Sequence, residues 1–360
     1  MPLNDPTHDQ QQRQRRIDFD VLAPLTVVGV LLSIAAVVIV MLTMHSRSDN
    51  TAVAPAATDP APAPAKLKAD YTMPAFDPVT KPVTAGPKTF NLTATERNVK
   101  VGTKTYAMWM FNKTVPGPVL RVVVGDTVTV NITNASDSKM PHSVDFHASR
   151  LTLGGGHVQV APGKSGTYTF TADYPGVFMY HCATSPVLHH IGMGMYGMLI
   201  VQPAAGFGAA MPEYAITQSE LYASPNGIND NLPDAMAFNG IPNQYVDHPI
   251  KVAADSHARV FVLNAGPSEQ SSFHVVGTIF DRALADGNPR NQTFGRQAIG
   301  IPTSGSTVVE MEFVGEGQFP FVTHQFNLAA KGAVGMFLAG DGKPGPGAIP
   351  SAKAGDNGHR

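Results

Sequence analysis

The chain has 360 residues, of which 43% are hydrophobic and 14% are charged, with a formal net charge of −2. This length predicts two or more domains, and the balanced charge argues against nucleic acid as a partner. Glycine (34 residues) and proline (30 residues) are abundant, as expected of many short strands joined by tight turns. The single cysteine excludes an internal disulfide, so it needs another explanation.

The N-terminal part contains an apolar, uncharged run at residues 21–44. About 20 helical residues span a bilayer core, so this run is long enough to cross one. Arginines 13, 15 and 16 precede it, and the positive-inside rule then puts residues 1–20 in the cytoplasm and the bulk of the chain outside. A cleaved signal peptide is the alternative, but its apolar region normally has only about 7–15 residues. We predict an uncleaved anchor, with the remainder in the periplasm or on the outer face of the cell membrane.

Two further segments are predicted to lack a packed core. Residues 45–88 contain a tract of alternating alanine and proline, which favours an extended, semi-rigid linker. Residues 341–360 are poor in apolar side chains and are predicted to form a flexible tail.

Between the linker and the tail, the pattern is that of β-structure. Val128, Val130 and Ile132 alternate with polar residues, which is the period-two signature of a half-buried strand. The segment 166–182 reads as a strand, a Pro-Gly turn and a second strand. Several short strands at this spacing favour β-sandwiches.

A weak internal repeat divides this region in two. The sequence GVFMYHCA at 176–183 is echoed by FPFVTHQF at 319–326, which sets His324 in the second copy against His181 in the first. With a boundary in the segment 202–212, we predict one domain at 89–204 and another at 211–340, both of ordinary size.

Two short segments carry the chemistry, MPHSVDFHA from Met140 and YHCATSPVLHHIGMGMYG from Tyr180. Together they supply a thiolate, two imidazoles and a thioether: Cys182, His142, His190 and Met195. This is the ligand set of a blue-copper (type 1) electron-transfer site, in the order found in cupredoxins. Zinc is disfavoured because a thioether is a poor ligand for it. A lone cysteine is often a small buried hydrophobe, but this one lies among too many metal ligands.

The second segment leaves two choices open. His189 or His190 can be the imidazole ligand, and Met193 or Met195 the thioether ligand. We prefer His190 with Met195, because Met195 leads directly into the following strand.

Strand geometry predicts a second metal site. Successive side chains on a strand point to opposite faces, so Asp145 and His147 share the face opposite that of His142. By the same rule His181 points outward if Cys182 points inward. His324, from the same chain or from a neighbouring subunit, would be a third imidazole ligand. A three-histidine site with an open position is typical of catalysis, and one peptide link would join it to the blue site.

These segments, together with FVTHQF, resemble the copper-containing, NO-forming nitrite reductases over about residues 90–340. The resemblance implies an all-β fold of two cupredoxin-like Greek-key β-sandwich domains, here preceded by one N-terminal transmembrane helix. It implies a homotrimer with two copper ions per subunit. Type 1 copper would be bound by His142, Cys182, His190 and Met195. Type 2 copper, at the subunit interface, would be bound by His147, His181 and His324 of the partner subunit.

The resemblance also implies a dissimilatory reaction of denitrification, in which nitrite becomes nitric oxide and water. The electron would enter at type 1 copper from a small donor protein, a cytochrome c or a cupredoxin, and pass through the Cys182–His181 link. Asp145 and His274 match the family's two acid–base groups, as expected of a reduction that consumes two protons. His189 stands where many members have tryptophan, which leaves the identity of the donor open.

Two other functions are compatible with parts of the pattern. A laccase-like two-domain multicopper oxidase would need paired His-x-His motifs, which the sequence does not contain, and Ala183 rather than histidine follows Cys182. A membrane-tethered blue-copper electron carrier without catalysis would bind one copper per chain and would not need His274 or His324.

Overall fold

The computed structural model describes residues 71–151 and 159–341. The predicted cytoplasmic tail at 1–20, the anchor at 21–44, the linker up to residue 70 and the C-terminal tail beyond residue 341 lie outside the described residues. Within the described ranges, no helix has both the length and the apolar character needed to cross a membrane.

The first half of the described chain is built from short strands. In chain order they are β1 (Tyr71–Thr72), β2 (Val79–Thr80), β3 (Lys88–Val101), β4 (Lys104–Phe111), β5 (Leu120–Val123), β6 (Thr127–Asn134), β7 (Asp145–Phe146), β8 (Ser165–Thr171), β9 (Gly176–His181) and β10 (Tyr196–Gln202). One sheet has the order β1-β3-β6-β8, with β4 paired to β3, and the other has the order β5-β10-β9-β7. We call these two sheets the first sandwich.

Alternation along the strands builds the core of the first sandwich. In β6, Val128, Val130 and Ile132 are buried while their neighbours are exposed or half-buried, as the period-two pattern predicted. These side chains pack with Cys182 and Leu199 from the other sheet. Cys182 therefore lies inside the sandwich.

The second half repeats this architecture. Its strands are β11 (Glu213–Leu221), β12 (Ala235–Phe238), β13 (Ile250–Val252), β14 (Ser256–Gly266), β15 (Ser271–Val275), β16 (Phe280–Ala285), β17 (Gln292–Arg296), β18 (Ala298–Ile301), β19 (Ser306–Phe313), β20 (Gly317–Thr323) and β21 (Val334–Ala339). One sheet has the order β12-β11-β14-β19-β16-β17, with β2 paired to β11, and the other has the order β13-β21-β20-β15-β18. These two sheets form the second sandwich, whose core contains many phenylalanines.

Helices are short throughout the described residues. They are α1 (Val187–Gly192), α2 (Pro225–Asn229), α3 (Gln244–Asp247) and α4 (Phe326–Ala329). The fold is thus mostly β, as predicted, and α1 carries part of the motif that contains the cysteine.

The two sandwiches are joined by backbone and side-chain contacts. A shared apolar cluster includes Met179 and Met198 from the first sandwich and Phe261 from the second. Val177 of β9 donates its N–H to the carbonyl of Asp286 over 2.8 Å, and its own carbonyl accepts from the Ser306 hydroxyl over 2.7 Å. Strand β9 is therefore held directly by the second sandwich.

Candidate metal centres

The first centre is a buried group of three side chains. Ligand atoms of His142, Cys182 and His190 lie within 4.8 Å of one another. His142 and Cys182 are 0% exposed and His190 is likewise buried. Cys182 directly follows β9, and His190 lies in α1. His142 is held by a backbone pair with Val160, with N–H to carbonyl distances of 3.0 and 2.7 Å.

The Cys182 sulfur lies among N–H donors. The N–H of Ser143 approaches Sγ at 3.3 Å, and the Ser143 hydroxyl accepts from the Ala183 N–H at 3.1 Å. Burial raises the pKa of the Cys182 thiol. The contacts with His142 and with the backbone of Ser143 and Thr184 outweigh that effect, so its pKa lies below the ordinary value. The environment thus favours the thiolate, which is the form that binds metal.

Two ring nitrogens of this group lack a hydrogen-bond partner. They are His142 Nδ1 and His190 Nε2, and both are fully buried. Burial lowers the pKa of His190 to about 4, so this imidazole is neutral at pH 7 and retains a lone pair. A buried acceptor left unpaired costs about 1–3 kcal/mol, a penalty that a bound metal ion removes. A thiolate together with two imidazoles that each turn an unpartnered nitrogen into the same buried space therefore fits copper.

The structure distinguishes between the neighbouring histidines. His190 is part of the buried group, whereas His189 points away from it and its Nε2 lies 2.9 Å from Oδ1 of Asn229 in α2. Met195 is fully buried in the same apolar cluster as Cys182, and Met193 is half-buried at its edge. The Cys182 N–H donates to the Met195 carbonyl over 3.0 Å, which brings Met195 beside the cysteine.

Two residues that the sequence interpretation missed contact this centre. Trp109 packs its ring edge-on to His190 and to His142, with centroid distances of 4.6 and 5.5 Å. Glu96 Oε1 lies 3.1 Å from His142 Nε2. Trp109 is the single tryptophan of the chain, which was a usable signal, whereas nothing in the sequence around Glu96 marks it.

The second centre lies on the opposite side of β9. Ligand atoms of Asp145, His147 and His181 lie within 4.8 Å of one another. His147 Nε2 and His181 Nε2 are 3.1 Å apart, and Asp145 Oδ2 is 3.9 Å from His181 Nε2. Asp145 pairs with His181 across β7 and β9, so the sheet register brings these two side chains together.

Access and charge distinguish the second centre from the first. His147 is exposed, whereas Asp145 and His181 are half-buried. Although His147 reaches solvent, protein atoms around its ring partly desolvate it, and this lowers its pKa. The nearby His181 lowers it further, and Asp145 opposes both effects. A centre that solvent can reach, with an imidazole whose neutral form is favoured, is suited to a metal ion with an open position.

His324 does not join this centre within one chain, because it is absent from the group of converging ligand atoms. It lies one residue beyond β20, on an exposed surface, with its ring 5.1 Å from that of His274. His274 Nδ1 bonds to the carbonyl of Gln297. The within-chain arrangement is therefore not found, and the partner-subunit arrangement stays a prediction.

The two centres are joined by consecutive residues. His181 and Cys182 are adjacent, one facing each centre, and His181 Nδ1 lies 2.9 Å from the Cys182 carbonyl. A carbonyl can only accept, so Nδ1 carries the proton and Nε2 is left as the ligand atom on the side of His147.

Comparison with known proteins agrees with this geometry. The model of the family described as "Multicopper oxidase" matches residues 93–206. A copper-containing nitrite reductase of Neisseria gonorrhoeae is 36% identical over 246 residues, which are 64% of this chain and 62% of that protein. The chain thus matches less than two thirds of the length of that relative.

The match to a solved structure covers a larger share of both chains. The copper nitrite reductase from Nitrosomonas europaea is 35% identical with a TM-score of 0.68, and the match covers 71% of this chain and 95% of that one. The chain belongs to the copper nitrite reductase family. A second copper nitrite reductase structure, from Thermus scotoductus SA-01, is 34% identical with a TM-score of 0.68, covering 74% of this chain and 67% of that one. Resemblance to the copper nitrite reductases thus extends over both sandwiches.

Proposed function

We propose that the protein is a membrane-anchored nitrite reductase that forms nitric oxide and water. The observation that carries the proposal is the His181–Cys182 pair, which contributes one ligand to a buried centre and one to an accessible centre. A buried centre suits electron transfer, and an accessible centre suits the binding of a small anion.

The residues of each centre have distinct tasks. His142, Cys182 and His190, with Met195 as the thioether ligand, would bind type 1 copper. His147 and His181, with His324 of the partner subunit in a homotrimer, would bind type 2 copper. When bound, copper supplies a one-electron couple at each centre and a Lewis acid at the second. The single peptide link between Cys182 and His181 gives the shortest covalent path between the two centres.

Asp145 is suited to hold and protonate the substrate. The reaction consumes nitrite, one electron and two protons, and it yields one nitric oxide and one water. The Asp145 carboxyl group lies 3.9 Å from the ligand nitrogen of His181, so it borders the position that an anion would occupy. As a carboxylic acid it would donate a hydrogen bond to a nitrite oxygen and then its proton, in the manner of general acid catalysis.

His274 would enter the second centre together with His324. The two rings lie 5.1 Å apart, so a subunit that presents one histidine presents both. The Gln297 carbonyl accepts from Nδ1 of His274, which leaves Nε2 free to face the substrate and to pass on the second proton. Delivery of both histidines to the centre of another subunit requires an oligomer, and we propose that the active form is a homotrimer.

The electron donor would be a small protein, a cytochrome c or a cupredoxin. It would approach the surface of α1, where Val187 and Leu188 are exposed next to the buried His190. The N-terminal anchor would hold the catalytic part outside the cytoplasm, in the periplasm or on the outer face of the cell membrane.

The test is electron paramagnetic resonance with copper counting on the purified protein, with and without nitrite. We expect two copper signals per chain, one of them altered by nitrite, and nitric oxide formed from a reduced donor. Cys182→Ala should remove the blue signal and lower the count to one copper per chain. One copper per wild-type chain, with no effect of nitrite, would instead identify a non-catalytic electron carrier.

A further inference from the structure

Glu96 is a buried carboxylate whose contacts converge on the first centre. It lies on β3, 46 residues before His142 in the chain, and is 2% exposed. Its Oε1 accepts from the N–H groups of Lys139 and Met140, both over 2.9 Å, and contacts His142 Nε2 at 3.1 Å. One carboxylate oxygen thus contacts two backbone N–H groups and the histidine ring, all within residues 139–142.

This contact determines which nitrogen of His142 is available to a metal ion. An oxygen that already accepts two backbone N–H groups acts as an acceptor toward the ring as well, so His142 Nε2 carries the hydrogen. His142 Nδ1 is then the nitrogen left to face Cys182 and a metal ion. It is fully buried, and no hydrogen-bond partner occupies it.

The sheet adds a second constraint on the same ring. Glu96 pairs with Trp109 across β3 and β4, and the Trp109 indole packs edge-on to His142 at a centroid distance of 5.5 Å. The ring is therefore bonded on one side and packed on another, which leaves little rotation about its side-chain bonds.

We propose that Glu96 is the positioning residue of the electron-entry site, holding His142 in the tautomer and orientation that copper requires and setting the reduction potential of that copper. The inference rests on the copper site proposed above. Carboxylate partners of metal-binding histidines typically change metal affinity about 10–100-fold when removed. A negative charge next to the site also favours the more positive, oxidised copper over the reduced form.

The experiment compares Glu96→Gln with wild type, with Asp126→Asn as the matched control. Asp126 is also a buried carboxylate of the first sandwich, 5% exposed, and it accepts from the N–H groups of Gly86 and Val123 but contacts no histidine. Copper affinity of the blue site is measured by competition with a chelator. Reduction potential is measured by spectroelectrochemistry, and thermal unfolding is measured without metal.

We expect Glu96→Gln to lower the copper affinity about 10–100-fold and to raise the reduction potential. Metal-free unfolding should change no more than in Asp126→Asn, which should keep wild-type affinity and potential. If Glu96→Gln fails to fold, Glu96→Asp serves in its place: it keeps the charge but is too short to reach His142, so affinity should fall while the potential moves less.

Two results would overturn the inference. One is a Glu96 variant with wild-type affinity, colour and potential. The other is an equal change in Asp126→Asn, which would mean a general effect of losing a buried acid. Absence of a blue copper signal from the wild-type protein is a separate outcome, because it refutes the proposed function itself and with it the site that Glu96 would serve.

Discussion

At the residue scale, Tyr180 shows how closely the strand before the cysteine is packed. Its hydroxyl donates to the Pro118 carbonyl over 2.6 Å, and its ring stacks on Phe146 at 5.1 Å, so it cannot move aside. Gly197 lies opposite it in the sheet, and a methyl group there would come within 2.6 Å of the Tyr180 Cε1 atom. Glycine is required at 197 because the ring occupies the space of a side chain.

Gly197→Ala is therefore expected to destabilise the fold. Overpacking of a rigid core typically costs about 1–3 kcal/mol, and we expect a value in that range from urea unfolding. Gly300→Ala is the control, because a methyl group there meets no atom within 4 Å and should change the unfolding free energy by less than about 0.5 kcal/mol. Equal stability of the two variants would contradict the packing described for Tyr180.

Asp145 gives a prediction about turnover. Asp145→Asn keeps the shape of the side chain but removes its proton-donating group, so both copper ions should remain bound while nitrite reduction slows about 10²–10⁴-fold. Asp173→Asn, a change of an exposed acid paired with Arg150, should leave the rate unaltered. Full activity in Asp145→Asn would exclude this carboxyl group from the proton transfer.

Much of the candidate site follows from residue-scale rules. The parity of strand positions predicted that His142 would face inward with Cys182, and that Asp145, His147 and His181 would share the other side, as they do. Glu96 could not be predicted in this way, because its contact with His142 depends on how β3 packs, and no local pattern encodes that packing. The same limit applies to His324, because the proposed contact with His147 and His181 would lie between subunits, which no pattern within one chain encodes.

At the element scale, α1 carries His190, and α2 from the second half of the chain packs against α1. Ile228 of α2 is buried against Gly192, where an added methyl group would approach Ile228 Cδ1 to 3.0 Å. His189 reaches across to Asn229 of the same helix. Consecutive residues of a helix point about 100° apart, so one histidine turns inward to the centre while its neighbour turns to α2.

Ile228→Ala should weaken the packing of α2 against α1. Truncation of a buried isoleucine costs about 2–5 kcal/mol, and we expect that loss in urea unfolding together with faster release of copper from the blue site to a chelator. Leu232→Ala provides the comparison, because Leu232 follows the same helix but is exposed, and its truncation should affect neither quantity. Copper release at the wild-type rate from Ile228→Ala would show that α2 does not hold α1 in place.

The sequence predicts the elements less evenly than the residues. Period-two alternation marks β6 clearly, and short strands with frequent turns predict the sandwiches. Strand β10 is buried at every position, so it has no alternating pattern to read. The pairing of β2 with β11 joins part of the predicted linker to the second sandwich. This tertiary contact could not be predicted, because a strand of two residues has no recognisable sequence pattern.

At the scale of the whole molecule, charged side chains that are buried or half-buried between the sandwiches form a continuous cluster. Arg121 of β5 contacts Glu213 over 2.5 Å, and Arg259 contacts the same carboxylate over 2.6 Å. Arg259 and Arg282 both contact Glu310, over 2.7 and 2.6 Å. Arg121, Glu213 and Arg259 are buried, whereas Arg282 and Glu310 are half-buried. Because all are mutually paired, loss of one partner would leave an uncompensated charge largely shielded from solvent.

This cluster predicts a loss of stability in acid. Burial raises the pKa of Glu310, but its hydrogen bonds with Arg282 and Arg259 lower it more, so it lies below the reference value of 4.5. As the pH falls, this carboxylate therefore binds a proton in the unfolded chain before it does so in the folded chain. The stability that Glu310 contributes is complete above about pH 4.5 and is lost as the pH falls through the lower pKa of the folded state.

Urea unfolding of the metal-free protein between pH 5 and pH 3 tests this. Glu310→Gln should be less stable than wild type at pH 7, but its unfolding free energy should fall less on acidification. Glu312→Gln, an exposed glutamate of the same strand, should follow the wild-type curve. Equal acid sensitivity in wild type and Glu310→Gln would mean that other carboxylates dominate the transition.

Strand β9 links these scales in a way that bears on rate. Val177 near its start is hydrogen-bonded through its N–H and its carbonyl to the second sandwich, and at its far end His181 and the following Cys182 would each supply a ligand to one of the two proposed centres. Tunnelling of an electron falls off exponentially with distance, so small thermal excursions of the path would spread transfer times widely. Hydrogen bonds to the second sandwich at Val177 and to the Met195 carbonyl at Cys182 restrain the strand at both ends, so we expect the proposed path to keep a nearly constant length from one turnover to the next.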